Sequence, residues 1–248
     1  MDSTPWLERS RLYGASLPPG AWLSLDEIGQ SKPYIRTHDF PGDRINASHA
    51  SFDSAPLGRM GVPFLIDIGI DGFLLRDEAL KLYEMAYFSS GDVIELGTHK
   101  GLSTSIIAMA LTQSERRDRN FETIDIDARR NFLARKNVGF WRNRWVKFSL
   151  MDATKRLDQM IAEGRRAGFI FVDHWHGYKE TFEAAERGPL LLVDGGYIMF
   201  HDFLDPGNNT PGHPYGVYPA VLDAIGNDKR MKFACLCGSS AIFRFSNS

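Results

Sequence analysis

Two cysteines among 248 residues leave no material for a disulfide framework. Cys235 and Cys237 alternate within the apolar stretch 232–238, so on a strand they share one face and lack Cys-x-x-Cys spacing. They are expected to be buried thiols in a reducing compartment, because free cysteine behaves as a small hydrophobe. No run approaches the ~20 apolar residues that span a bilayer. The opening Met1-Asp2-Ser3-Thr4-Pro5-Trp6 lacks the basic stretch and apolar run of a secretory leader. A cytoplasmic protein without a membrane partner is expected. Charge of one sign is also missing. The formal net charge of −2 gives no electrostatic reason to expect nucleic acid. Hydrophobic residues at 43% and charged residues at 24% suit an ordinary globule with room for one full core.

Regular pattern is scarce in residues 1–70. Pro18-Pro19-Gly20, Pro33, Pro41-Gly42, Pro56 and Pro63 interrupt any regular element. The segment reads as an extension on the domain surface or as a lid over a site. A contact with a second copy of the chain is a further role for it. From residue 71 to 248 the pattern is regular. A helix over 77–88 precedes seven short apolar runs, at 93–96, 121–126, 146–151, 169–173, 196–200, 233–236 and 241–245, and helical stretches separate the first six. Runs apolar on both faces imply a mainly parallel sheet covered by helices. Gly238-Ser239-Ser240 joins the last two runs as a hairpin. The expected fold is α/β, a Rossmann-like seven-stranded sheet with six parallel strands and one antiparallel, helices on both faces and an irregular N-terminal extension.

The first strand leads into Glu95-Leu96-Gly97-Thr98-His99-Lys100-Gly101-Leu102-Ser103. Gly97 lets the backbone leave the strand and approach a ligand without a Cβ in the way, and Gly101 does the same at the helix entry. Ser103 and Thr104 sit near a helix N-terminus, where free N–H groups favour an anion. The spacing is Gly-x-x-x-Gly rather than the Gly-x-Gly-x-x-Gly of dinucleotide folds, which disfavours a nicotinamide-dependent oxidoreductase. Glu95 suits an ammonium-bearing ligand. Asp125, ending the second strand, is placed to accept ribose hydroxyls, and Asp152, after the third, to accept from an adenine amino group.

This series resembles the class I S-adenosylmethionine-dependent methyltransferases over residues 70–248. The likeness is greatest to metal-dependent O-methyltransferases of the macrolide-sugar, cephalosporin-cluster and catechol types. It implies that S-adenosylmethionine is the cofactor and that Glu95, Gly97, Thr98, Gly101 and Ser103 line its methionine part. Asp125 would then hold the ribose, and Asp152, His174 and Trp175 would flank the adenine, with Asp173 bordering the same site.

Asp173, His174 and His176 follow the fourth strand; His201 and Asp202 follow the fifth. Polar residues right after buried parallel strands lie at the sheet edge where open α/β folds bind ligands. Methylating an alcohol requires a base or a metal that lowers its pKa. Histidine suits the first task and aspartates the second. The resemblance makes His176 the general base and Asp173 with Asp202 the ligands of a divalent metal. Where relatives carry a further acidic or amide ligand, this chain has His201 or Phe203, and Phe203 cannot ligate. Either His201 completes the set, shifting preference from magnesium toward manganese, iron or zinc, or the metal is weak or absent. The implied partner is a small-molecule hydroxyl acceptor, a sugar or other polyhydroxylated metabolite first and a catechol-like phenol second. A non-catalytic S-adenosylmethionine-binding protein is the alternative. In the loop 205–218, His213 and Tyr215 are candidate substrate contacts. The basic run Arg129, Arg130, Arg135, Lys136, Arg142 and Arg144 reads as a solvated face, with binding of anionic substrates as the alternative.

Overall fold

The computed structural model describes residues 30–114, 118–139, 142 and 144–247. The first 29 residues of the expected extension, Pro18 and Pro19 included, lie outside the described residues. Among the described residues, helices α1 (Asp43–Ala50) and α2 (Arg76–Tyr87) precede the sheet. Strands and helices then alternate: β1 (Asp92–Leu96), α3 (Leu102–Gln113), β2 (Phe121–Asp125), α4 (Ala128–Val138), β3 (Val146–Leu150) and α5 (Ala153–Ala162). The second half holds β4 (Ala167–Val172), α6 (Tyr178–Leu191), β5 (Leu192–Phe200), α7 (Val217–Ile225), β6 (Met231–Cys237) and β7 (Ser240–Phe245).

The strand order is β3-β2-β1-β4-β5-β7-β6. Neighbours from β3 to β5 are parallel, and β7 runs antiparallel to both β5 and β6. Six strands therefore share one direction and one opposes it, as the closing hairpin in the sequence implies.

Side chains alternate across each strand, and two separate cores result. Val93, Phe121, Phe169, Phe171 and Met199 face α2 and α3. Ile94, Ile124, Ile170, Ile198 and Phe200 face α5, α6 and α7. Helix α3 is buried along most of its length, and its polar residues there are the small Ser103, Thr104 and Ser105. Two helices start at aspartate caps. Asp127 accepts from the N–H groups of Arg129 and Arg130, and Asp152 accepts from that of Lys155; each such cap satisfies otherwise orphaned donors.

Residues 30–70 are packed rather than loosely draped. Phe40, Phe52, Ile66 and Ile70 join the core on the α2 face. Glu84, buried on α2, accepts from the Thr37 N–H and hydroxyl, each at 2.7 Å, from Tyr34 Oη at 2.9 Å and from Lys81 Nζ at 2.8 Å. These charge-assisted bonds pin the segment to the helix. Lys32 also exchanges two backbone hydrogen bonds with Gly238 in the β6–β7 turn. No helix among the described residues is long and apolar enough to cross a membrane.

Candidate active site

The turn after β1 is shaped by close packing. Gly97 has φ of 101°, and a Cβ there would collide with the Asp173 carbonyl at the end of β4. Gly101, with φ of 87°, meets Ala134 of α4, whose Cα and Cβ lie 3.1 Å from where a Cβ would sit. Glu95 has the same strand parity as Val93, so its side chain turns toward α3 instead of the sheet edge. It is fully buried. Its carboxylate accepts from Ser103 Oγ at 2.5 Å, Thr104 Oγ1 at 2.5 Å and Thr123 Oγ1 at 2.6 Å. Thr98 Oγ1 lies 2.6 Å from Thr123 Oγ1. Burial pushes Glu95 up to about 7, against the pull of these hydroxyls. Glu95, Thr98, Gly101 and Ser103 therefore stand behind the turn and brace it.

Gly97, Asp125, Asp152, Asp173, His174 and Trp175 do come together. They line one cleft of about 540 Å³ over the carboxyl ends of β1 to β5. Asp125 Oδ2 accepts from the His99 N–H and Oδ1 from the Asp127 N–H, each at 2.8 Å, so the carboxylate is fixed at the end of β2. His174 Nε2 is buried with no hydrogen-bond partner among the described residues. Burial holds that imidazole down to about 4, so it is neutral at physiological pH. Trp175 is 62% exposed and forms part of the rim.

A polar cluster closes the cleft. His176 Nε2 lies 3.2 Å from Asp173 Oδ1 and 3.5 Å from Asp202 Oδ2. His201 Nδ1 lies 2.9 Å from Asp173 Oδ1, off the line a hydrogen bond requires, and 3.3 Å from Asp202 Oδ1. The other nitrogen of His201 faces Glu78 Oε2 at 3.3 Å. Burial disfavours charge on His201, but Asp173, Asp202 and Glu78 outweigh it and raise its pKa well above 6.5. Desolvation also disfavours charge on the part-buried Asp173; the neighbouring His201 and His176 overcome that and hold it well below the usual carboxylate range. Burial raises Asp202, and the same histidines offset this only in part.

The sequence grouped Asp173, His201 and Asp202 as metal ligands and kept His176 apart as the base. In the structure the three donor atoms that gather within 4.8 Å of one another belong to Asp173, His176 and His201. Phe203 is buried against Tyr218, away from ligand chemistry. Glu78 is a site residue that sequence reasoning missed, because His201, Ser239 and Ser240, which bring it to the site, lie more than a hundred positions away. Tyr215 packs on His176 with ring centroids 4.7 Å apart. His213 packs in turn on Tyr215 at 4.6 Å.

A second cavity, of about 800 Å³, lies between residues 30–78 and the loop after β5. It shares Phe73, His201, Asp202 and Tyr215 with the first cleft. Two chambers thus meet across one wall, with the polar cluster at the seam.

Comparisons with known proteins bear on the matched span and the fold. Residues 94–203 match the family model described as a methyltransferase domain. The fold is similar to that of an O-methyltransferase from Bacillus cereus in complex with SAH, at 18% identity and a TM-score of 0.56, covering 84% of this chain and 93% of that one. It is also similar to the O-methyltransferase TomG from Streptomyces achromogenes, of tomaymycin synthesis, in complex with SAM. There identity is 16%, the TM-score 0.59 and the coverage 84% and 92%. A third similar structure is CalS11, a TDP-rhamnose 3'-O-methyltransferase of calicheamicin biosynthesis, at 17% identity and a TM-score of 0.52, covering 67% and 76%. No curated protein matches the chain.

Proposed function

From the match of residues 94–203 to a methyltransferase-domain model and a fold similar to that of O-methyltransferases, we propose that the chain moves the methyl group of S-adenosylmethionine to a hydroxyl of a small molecule, with His176 as general base. The observation that carries this reading is the shared wall between the two chambers. A donor in the smaller one and an acceptor in the larger one meet beside Asp202, Tyr215 and the Asp173–His176 pair.

The residues present fit the cofactor. Asp125, steadied by two backbone N–H donors, keeps free lone pairs for ribose hydroxyls. The orphaned Nε2 of His174 and the carboxylate of Asp152 face the region expected for the base. When bound, S-adenosylmethionine supplies an electrophilic methyl group. The chain's own part is to orient, to exclude water and to take a proton. His176, whose Nε2 is flanked by Asp173 and Asp202, accepts the acceptor's hydroxyl proton on its ring, and both carboxylates stabilise the resulting imidazolium. Alignment of the two reactants can contribute ~7–11 kcal/mol of rate acceleration. A sugar or other polyhydroxylated metabolite is the acceptor class suggested by the name of the rhamnose enzyme.

A second reading rests on the three donor atoms of Asp173, His176 and His201. They would hold a divalent cation, with Glu78 supporting His201 from its far nitrogen in the manner of an outer-shell carboxylate. The cation would lower the pKa of the acceptor hydroxyl, and a set with two imidazoles favours manganese, iron or zinc over magnesium. His176 is then a ligand and not the base.

The test has two stages. Titration calorimetry with S-adenosylhomocysteine should show binding, and its absence would sink the proposal. Release of S-adenosylhomocysteine is then followed with a panel of small hydroxyl compounds, for wild type and His176→Gln. Loss of turnover by about 10²–10⁴-fold with unchanged cofactor affinity supports a role for His176. Loss of wild-type turnover on chelation, restored by manganese, selects the cation reading; insensitivity to chelator selects the base.

A further inference from the structure

We propose that the acceptor of this methyl transfer is a hydroxyl compound carrying a protonated amine and an apolar face, and is not a phosphate-bearing or nucleoside-diphosphate compound. The inference rests on the methyl-transfer reading and concerns the larger chamber, whose chemistry divides sharply.

One side of that chamber is apolar. Leu57, Phe64, Leu65, Phe73 and Leu74 line it, and Phe64 and Phe73 are more than 60% exposed. Leu57, Phe64 and Phe73, exposed at an open cavity, present a surface for the ring or chain of a ligand, backed by the buried Leu65 and Leu74.

The other side is acidic. Asp53, Asp77, Glu78, Asp202 and Asp205 line it. Glu78 and Asp202 are already met by His201 and His176. Asp53, Asp77 and Asp205 have no ion pair among the described residues. Asp205 spends one oxygen on the Gly207 N–H at 2.6 Å, and Asp53 lies exposed at the edge. Apart from His201, the one cation among the described lining residues is Arg76, whose Nη2 is engaged by the Ala55 carbonyl at 2.6 Å. A walled cavity focuses the field of such an excess. An anionic ligand would have to sit beside several uncompensated carboxylates, and like-charge juxtaposition is a strong means of rejecting a partner. A pyrophosphate finds no basic cradle among the described lining residues; an ammonium group has three carboxylates to choose from.

The experiment uses the full-length protein saturated with S-adenosylhomocysteine and four probes titrated by calorimetry. Tyramine, tyrosol and 4-hydroxyphenylacetate share a hydroxylated ring and end in an ammonium, a neutral hydroxyl and a carboxylate; thymidine diphosphate is the fourth. Tyramine is expected to bind about tenfold tighter than tyrosol, equivalent to about 1.4 kcal/mol, with the acid and the diphosphate weaker than both. Asp77→Asn should shrink the tyramine preference severalfold and leave tyrosol binding unchanged. Equal binding of the first three probes, tighter binding of either anion, or no binding of tyramine at millimolar concentration would each overturn the proposal. Failure of S-adenosylhomocysteine to saturate the protein is seen in the preceding titration and counts against the methyl-transfer reading itself.

Discussion

The imidazole of His201 and the carboxylate of Glu78 lie 3.3 Å apart although 123 positions separate them in sequence. Helix α2 thereby reaches into the cluster at the end of β5. Glu78 is fully buried. It also accepts from the Ser239 N–H and hydroxyl, each at 2.8 Å, and from the Ser240 hydroxyl at 2.9 Å. One side chain from outside the family-matched span thus ties α2, the β6–β7 turn and the site together. Glu78→Gln keeps the shape and removes the charge. Unfolding by urea should show a loss of about 2 kcal/mol, the scale of a hydrogen bond to a charged group. Turnover should fall as His201 loses its anchor.

Glu95 gives the fold a pH dependence whose sign can be worked out. Burial raises its pKa from an ordinary 4.5 to about 7, so the folded chain binds a proton there that the unfolded chain has released. The stabilising contribution is fully present below about 4.5 and is lost as pH rises through about 7. Glu95→Gln should flatten the stability profile between pH 5 and 8. At pH 8 it should be more stable than wild type by up to roughly 3 kcal/mol. Denaturant midpoints at the two pH values decide it, and a variant less stable at pH 8 would refute the account.

Asp125→Asn tests the cleft from its ribose end. The amide offers one acceptor oxygen where the carboxylate offered two, while His99 N–H and Asp127 N–H still need partners. Affinity for S-adenosylhomocysteine should drop by roughly 10- to 100-fold, the scale of one lost charge-assisted hydrogen bond. Thermal stability should change little. Calorimetry and a melting curve on the same sample separate the two effects.

Gly97→Ala tests the turn. The positive φ and the collision with the Asp173 carbonyl leave a methyl group no place without moving β4. A loss of more than about 1 kcal/mol is expected, together with weaker cofactor binding. The control Gly139→Ala also has a positive φ but nothing within 4 Å, so it should cost less.

The sheet was legible in the sequence because buried parallel strands are written as short apolar runs between helices, and each run falls within two residues of its strand except at β5, which starts four residues earlier. The basic helix over 128–138 is framed by Asp127 and Gly139, and the ligand edge follows from topology. The role of Glu95 was not legible. Both faces of β1 are buried, so no alternation of polar and apolar residues reveals which way an acid on it points. Packing decided, and gave Glu95 to the hydroxyls of α3. His176 was singled out from its place just after β4, but its closeness to His201 depends on how far apart the ends of β4 and β5 lie, which spacing along the chain cannot report. Residues 30–70 looked irregular because proline fragments their periodicity; their aromatic residues still reach the core, through contacts with α2 that leave no local pattern.

The single inverted strand has a consequence at the working edge. Because β7 travels against its neighbours, its beginning, not its end, arrives beside the carboxyl termini of β4 and β5. The serine-rich bend before it is delivered there with backbone N–H and hydroxyl donors, which Glu78 and Asp202 receive. A seventh strand in the common direction would have brought Phe245 to that place, and Glu78 and Asp202 would have lost the groups that solvate them.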